Sequence, residues 1–394
     1  MKIALLTETF SRQTGSIQRV LPKYLARRGA EVHVISMDLT PYYSESVFHG
    51  FTEPLAPGDT EEIDGFQLHV VGHRMILGYP RMIGLANKLA SIRPDIVQCQ
   101  ASIGWIPLDA ACMKLKLGYK LFTGNHNALS TAGVSLEATF KNRMKLFVQR
   151  FVPGRLTNYA VERCYAVTVD CAEIAWRYYG VQKNKVEIMH LGVDSDYFRP
   201  AHGMEDRNER EAVRASLGLD PGDIVCIYTG KMTEKKNALI LAQAVSRLRE
   251  MGKPYSAVFI GNGVQRERIE TMPHCRVLGF MHFSMLAAYY RASDIGVWTG
   301  DESSSQLDAA ACGIPIVISD AVFYRDHVDG NGLVFRYGGV DDLIVKLCEL
   351  ESSGIRNRLG QLGAKKMEQG FSWDSVARRR LAHYQEALGK SGHD

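Results

Sequence analysis

The chain has 394 residues, of which 46% are hydrophobic and 23% charged, with a net charge of +4. That length exceeds one ordinary core and predicts two globular domains, and the mild charge excludes a case for nucleic-acid binding on electrostatics alone. No run of about 18 apolar residues predicts a transmembrane helix, and the eight scattered cysteines, with no CxxC pair, indicate neither a zinc site nor a disulfide framework. A cytoplasmic location fits.

The opening MKIALLTETF reads as a strand over residues 2–7 and not as a signal peptide, since Glu8 and Arg12 interrupt it. Residues 16–28 follow with helical spacing (Ile17, Val20, Leu21, Tyr24, Leu25). Strands are predicted over 31–36, 66–71, 96–100, 119–123, 166–170 and 186–190, with a long helix over about 136–163. Residues 197–221 turn polar and charged and read as the connection between halves. The pattern then restarts, with strands at 224–229, 256–261, 276–279, 295–298, 316–319 and 333–336. Short apolar strands separated by helices predict parallel sheets covered on both faces. The fold class is therefore α/β, two Rossmann-like doubly wound domains facing across a cleft. Ligands in such folds bind beyond the carboxyl ends of the strands.

The segment from Trp298 to Asp320 carries the most chemistry. A strand, a polar turn holding Glu302, Ser303, Ser304 and Ser305, and a small-residue helix ending at Cys312-Gly313 follow one another. Unpaired N–H groups at a helix start attract anions. Glu302 and Asp308 on the same unit are placed to hold hydroxyls beside that anion, which suggests a nucleotide sugar. Residues 230–237, after a strand, put Lys231 and Lys236 around a tight turn opened by Gly230. Two cations there suit a pyrophosphate leaving group, although a solvated basic turn has the same composition. Gly261 and Gly263 form a second strand-to-loop glycine pair that permits close approach to a ligand. An ordinary turn needs the same residues. His126 ends a strand and is a candidate to bond a sugar hydroxyl or accept a proton; His190 competes with it. Thr14, Gly15 and Ser16 offer N–H groups to a phosphate, or Ser16 simply caps the next helix. Phe140, Met144, Phe147, Val148 and Phe151 recur at helical intervals among basic residues up to Arg163. That pattern suits either an anionic membrane surface or a solvated domain helix.

Together these motifs resemble the retaining nucleotide-sugar glycosyltransferases of two-domain GT-B architecture, family 4 type. Residues 230–237 look like the family's G-R-x-x-x-x-K-G turn, with Lys231 at the arginine. The run Asp308-Ala309-Ala310-Ala311-Cys312-Gly313-Ile314-Pro315 resembles E-A-M-A-C-G-x-P. His190-Leu191-Gly192-Val193-Asp194 resembles the domain boundary, and Phe371-Ser372-Trp373-Asp374 the segment before a last helix that returns to the first domain. The resemblance implies an acceptor-side domain over 1–197, a nucleotide-sugar domain over 198–372 and a returning helix over 373–394. It also implies transfer from a nucleoside diphosphate sugar, a UDP-sugar ahead of a GDP-sugar. No metal or other cofactor is implied, and Lys231 and Lys236 supply the charge. His126, Lys231, Lys236, Glu302 and Asp308 then carry catalysis. Gly15, Ser16, Gly230, Gly261, Gly263, Ser303, Ser304 and Ser305 bind the donor. The acceptor is a glycan or lipid-linked saccharide of bacterial surface polysaccharide or glycolipid synthesis, met at the inner face of the membrane.

The chain departs from the family at one place. The family's two acids stand eight positions apart, and eight back from Asp308 is Gly300. Three serines replace the usual Gly-aromatic-Gly run. This points to an unusual donor sugar, such as a deoxy or N-acetylated one. It also keeps open a non-catalytic nucleotide- or glycan-binding subunit, or a nucleotide-sugar epimerase of the same fold.

Overall fold

A computed structural model describes residues 1–39, 55–127, 144 and 147–389. Its first sheet is made of β1 (Lys2–Thr9), β2 (Glu31–Leu39), β3 (Thr60–Ile63), β4 (Phe66–Val71), β7 (Ile96–Cys99), β8 (Lys120–Asn125), β9 (Val161–Ala166) and β10 (Val186–Ile188). Across the sheet they run β10-β9-β8-β7-β1-β2-β4-β3. All pairs are parallel except β3 with β4. A separate antiparallel hairpin, β5 (His73–Ile76) with β6 (Tyr79–Met82), lies between β4 and β7 in the chain. The second sheet is all parallel, in the order β13-β12-β11-β14-β15-β16. Its strands are β11 (Ile224–Thr229), β12 (Tyr255–Ile260), β13 (Cys275–Leu278), β14 (Ile295–Trp298), β15 (Ile316–Ser319) and β16 (Gly332–Phe335). Every residue of β11, β12, β14 and β15 is buried. This is why these strands read as unbroken apolar runs.

Two elements tie the halves together. The helix α1 (Ile17–Arg27) sends Lys23, 4% exposed, onto Asp194, just before the connection, 2.8 Å away, and Tyr24 Oη donates to the same carboxylate at 2.9 Å. The last helix (Trp373–Ala387) puts Trp373, Val376, Ala377 and Tyr384 into the first sheet's core. Its start pairs with the segment just before the connection, where Val193 N–H donates to Phe371 at 2.7 Å and Trp373 N–H donates back to Val193 at 3.1 Å.

Two readings of the sequence are corrected here. The strand expected at 166–170 lies at β9, and a helix starts at Val169, where the Thr168 hydroxyl accepts from Cys171 N–H. Charged residues had masked β9. Arg163 stands on it, paired with Glu187 at 2.9 Å and Glu386 at 2.7 Å, so it belongs to no basic helical face. The rest of the long helix expected over 136–163 is interrupted. Residues 128–143, 145 and 146 lie outside the described residues, a π-helical turn covers Phe147–Phe151, and a helix spans Val152–Tyr159. The connection over 197–221 has no strand, as expected, and contains a helix, Gly203–Ser216, whose Arg210 and Arg214 pair with Asp294 next to β14.

Candidate active site

The carboxyl ends of the two sheets face each other. The loop after β1 reaches across: Gln13 accepts from Phe283 N–H at 3.2 Å, and Arg12 accepts from His282 Nε2–H at 3.3 Å. A Cβ on Gly15 would stand 3.1 Å from the Phe283 ring, so a larger residue there would hold the loop off. The ring in turn lies 5.6 Å beneath the Arg19 guanidinium.

Two cavities open in this cleft. The first, about 350 Å³, is lined by Thr14, Gly15, Ser16, Ser304, Ser305 and Asp308, with Phe280, Met281 and Phe283 along its apolar side. Its polar wall is unsatisfied. Gln13 Oε1 and Thr14 Oγ1 are buried with no partner among the described residues, and Ser16 stands at the start of α1 without a side-chain capping bond. Native structures leave few such atoms, so a ligand or water is expected at them. Burial, and then the charge of Asp194, push the Asp308 carboxyl up to about 8. Asp308 is therefore mostly protonated at neutral pH and able to donate as well as accept.

The second cavity, about 270 Å³, is lined by His126, Glu302, Ser303, Ser304, Gln306 and His327. His126 and Ser304 line both cavities. Burial, with a smaller contribution from Arg380, lowers His126 to about 4, leaving a neutral imidazole. His190 also borders the second cavity, but its Nδ1–H donates to Val167 at 2.8 Å and its ring stacks on Tyr324.

The lysines and glycines are placed differently from the expectation. Lys236 Nζ donates to the Glu302 carbonyl at 2.6 Å and pairs with Asp301, which Lys235 also meets at 2.6 Å. Lys231 is partly buried; burial and then the neighbouring charge of Lys236 lower its pKa. Among the described residues, neither Lys231 nor Lys236 lines either cavity. Lys236 instead holds the turn just before Ser303 through Asp301 and Glu302. Gly261 (φ 144°) and Gly263 (φ 151°) serve the chain itself. A Cβ at Gly261 would meet the Gly230 carbonyl at 2.0 Å, and one at Gly263 the Met232 carbonyl at 2.6 Å. The close approach inferred for a ligand is thus made between two loops.

Gly300 explains the missing acid. Thr299 Oγ1 donates to the Lys236 and Asn237 carbonyls at 2.9 and 2.8 Å, which draws the two loops together. A Cβ at Gly300 would then lie 2.6 Å from Lys236 Cα. No side chain fits at that position. Of the nearby acids, Asp301 is turned to the lysines, while Glu302 accepts from Phe323 N–H at 2.9 Å and lines the second cavity.

Sequence reasoning missed Gln306 and His327. Gln306 is 1% exposed, and its Oε1 lies 2.7 Å from His327 Nε2. Its available signal was a lone amide in a short helix whose other polar residues are Ser305 and Asp308. Among the described residues no cluster of three or more His, Cys, Asp or Glu has the form of a metal site, and no helix is long and apolar enough to cross a membrane.

The chain is similar to known proteins. A family model described as Glycosyl transferases group 1 matches residues 223–353, and one described as Glycosyltransferase Family 4 matches residues 20–197. A D-inositol 3-phosphate glycosyltransferase of Streptomyces bingchenggensis is 30% identical over 253 residues, 58% of this chain and 54% of that protein. One of Rhodococcus erythropolis is 28% identical over 252 residues, 57% and 54% of the two. The chain spans about half the length of the curated relatives it matches. Among solved structures, a glycosyltransferase from Rickettsia africae superposes with a TM-score of 0.73 at 15% identity, covering 99% of both chains. Anabaena HepE in complex with UDP and glucose gives 0.68 at 15% identity, also covering 99% of both.

Proposed function

The chain belongs to the family 4 glycosyltransferases of GT-B architecture, and from that premise we propose that it transfers a sugar from a nucleoside diphosphate donor with retention of anomeric configuration. One observation carries this reading. The unsatisfied Gln13–Ser16 loop, Ser304–Ser305 and Asp308 converge on one cavity where the carboxyl ends of both sheets meet. A base fits against Phe280 to Phe283, a ribose diol at Asp308, and a diphosphate between the first-domain loop and the serines. Residues 1–197 then form the acceptor-side domain, 198–372 the donor domain and 373–394 the returning helix.

The sugar extends toward the second cavity, past His126. A neutral imidazole there bonds a sugar hydroxyl without adding charge. The departing diphosphate takes the acceptor proton on the same face as bond breaking, which preserves configuration and asks only positioning and charge of the protein. Lys231 and Lys236, outside both cavities, supply that charge at longer range and without a metal. HepE, bound to UDP in its structure, favours a UDP donor here. Thermal-shift measurements with UDP, GDP, ADP and dTDP test the proposal. UDP alone should raise the melting temperature, in proportion to its affinity; no response to any of the four would end the donor reading.

The acceptor is a glycan or lipid-linked saccharide of surface polysaccharide or glycolipid synthesis. Exposed Phe147, Val148, Val152 and Leu156 beside Arg150 and Arg155 support contact with an anionic membrane. Binding to phosphatidylglycerol vesicles at low ionic strength is expected, weakened about tenfold or more by 0.5 M salt and by Leu156→Glu. Equal recovery of wild type and variant in a flotation assay would remove the membrane from this account.

A further inference from the structure

The second cavity holds a polar atom that the reaction above leaves unused. Gln306 Nε2 is buried with no partner among the described residues, on a residue 1% exposed that lines the cavity. The other end of the carboxamide is fixed: Gln306 Oε1 stands 2.7 Å from His327 Nε2, and His327, itself 6% exposed, lines the same cavity. With His327 donating, the carboxamide turns its two N–H bonds away from the ring. An amide N–H stripped of water and left unpaired carries its whole desolvation cost, so the site is built for an acceptor atom.

We infer that Gln306 is a specificity-determining residue, and that its N–H reads the carbonyl oxygen of an acetamido sugar. This rests on the donor placement proposed above. The rest of the cavity narrows the choice of acceptor. A uronate carboxylate would face Glu302 and Asp170, two carboxyl groups in the same wall, and like charges there oppose it. A bare hydroxyl accepts from the amide but leaves Val167, Leu191, Leu307 and Phe371 without an occupant. An acetamido group satisfies both sides, its oxygen on Gln306 and its methyl against the apolar wall. Gly300, where no side chain fits, leaves no room for an acid to read a hydroxyl from the opposite side of the loop. The amide and the closed glycine are thus two parts of one change in selectivity.

Calorimetric titration of the full chain with UDP, UDP-glucose and UDP-N-acetylglucosamine tests this. The wild type should bind the acetamido donor at least about tenfold more tightly than UDP-glucose. Gln306→Leu should erase that preference and keep the affinity for UDP, which also reports that the variant is folded. Gln306→Glu, nearly isosteric, sets an acceptor against the carbonyl and should invert the preference; it carries the test alone if the leucine variant loses UDP. Equal affinities in the wild type, a preference for UDP-glucose, or a preference surviving substitution would overturn the inference while the donor reading stands. No affinity for UDP itself would remove that reading, and the inference with it.

Discussion

Lys236→Ala lowers turnover of the nucleotide sugar by about tenfold or more, since it removes a positive charge that orders the serine loop and acts on the developing anion from outside the cavity. The ammonium acts from outside the two cavities. It spans the Asp301 carboxylate and the Glu302 carbonyl, so it fixes the loop that carries Ser303–Ser305 while adding positive potential near it. Two effects follow from one substitution, and kinetics separates them. Loss of leaving-group stabilisation appears in kcat at saturating donor. Loss of loop order appears as weaker donor binding. Lys236→Arg keeps the charge and should recover most of kcat. Donor hydrolysis provides the assay without a known acceptor. A Lys236→Ala protein with undiminished kcat would restrict the residue to loop packing. Turnover by the wild type that is lost in the variant would also exclude a purely non-catalytic binding subunit.

The parts legible in the sequence were those set by burial. Strands such as β11 and β12 are buried along their whole length, so their apolar runs marked the sheet core directly. The turn chemistry placed the carboxyl-end loops, and with them Ser16, His126, Ser304 and Asp308. What stayed hidden depends on contacts between distant segments. Nothing in the local chain says that Lys236 turns to Asp301, or that Thr299 draws the loops close enough to shut out a side chain at Gly300. β9 was displaced because Glu162 and Arg163 look unlike a strand until Lys114 and Glu187 appear beside them. Gln306 was overlooked for the opposite reason: among serines it passes as surface, and only its burial beside His327 gives it meaning.

Asp308→Asn makes the ligand-free protein more stable at pH 8 and a poorer donor binder. A carboxyl ionises near 3.9 in an unfolded chain, whereas in the fold burial and Asp194 hold it at about 8. Between those values the folded state keeps a proton that the unfolded state has released. Stability therefore falls as pH rises across that window, by at most about 1.4 kcal/mol per unit, and solvent entering the cavity reduces this. The contribution is whole below pH 4 and spent above about 8. Asparagine has no proton to release, so the variant lacks this slope. The melting temperature of the variant should match that of the wild type near pH 4.5 and exceed it increasingly toward pH 8. Donor affinity should move the other way. A carboxyl that both donates and accepts suits a ribose diol, and replacing it should cost about 10–100-fold in affinity, the range for a hydrogen bond to an ionisable partner. The same residue would then be a stability cost retained for binding, as expected where an unfavourable group is held at a functional site. A stability difference that does not shrink on acidification would trace the effect to packing around Asp308 and leave its proton without a role.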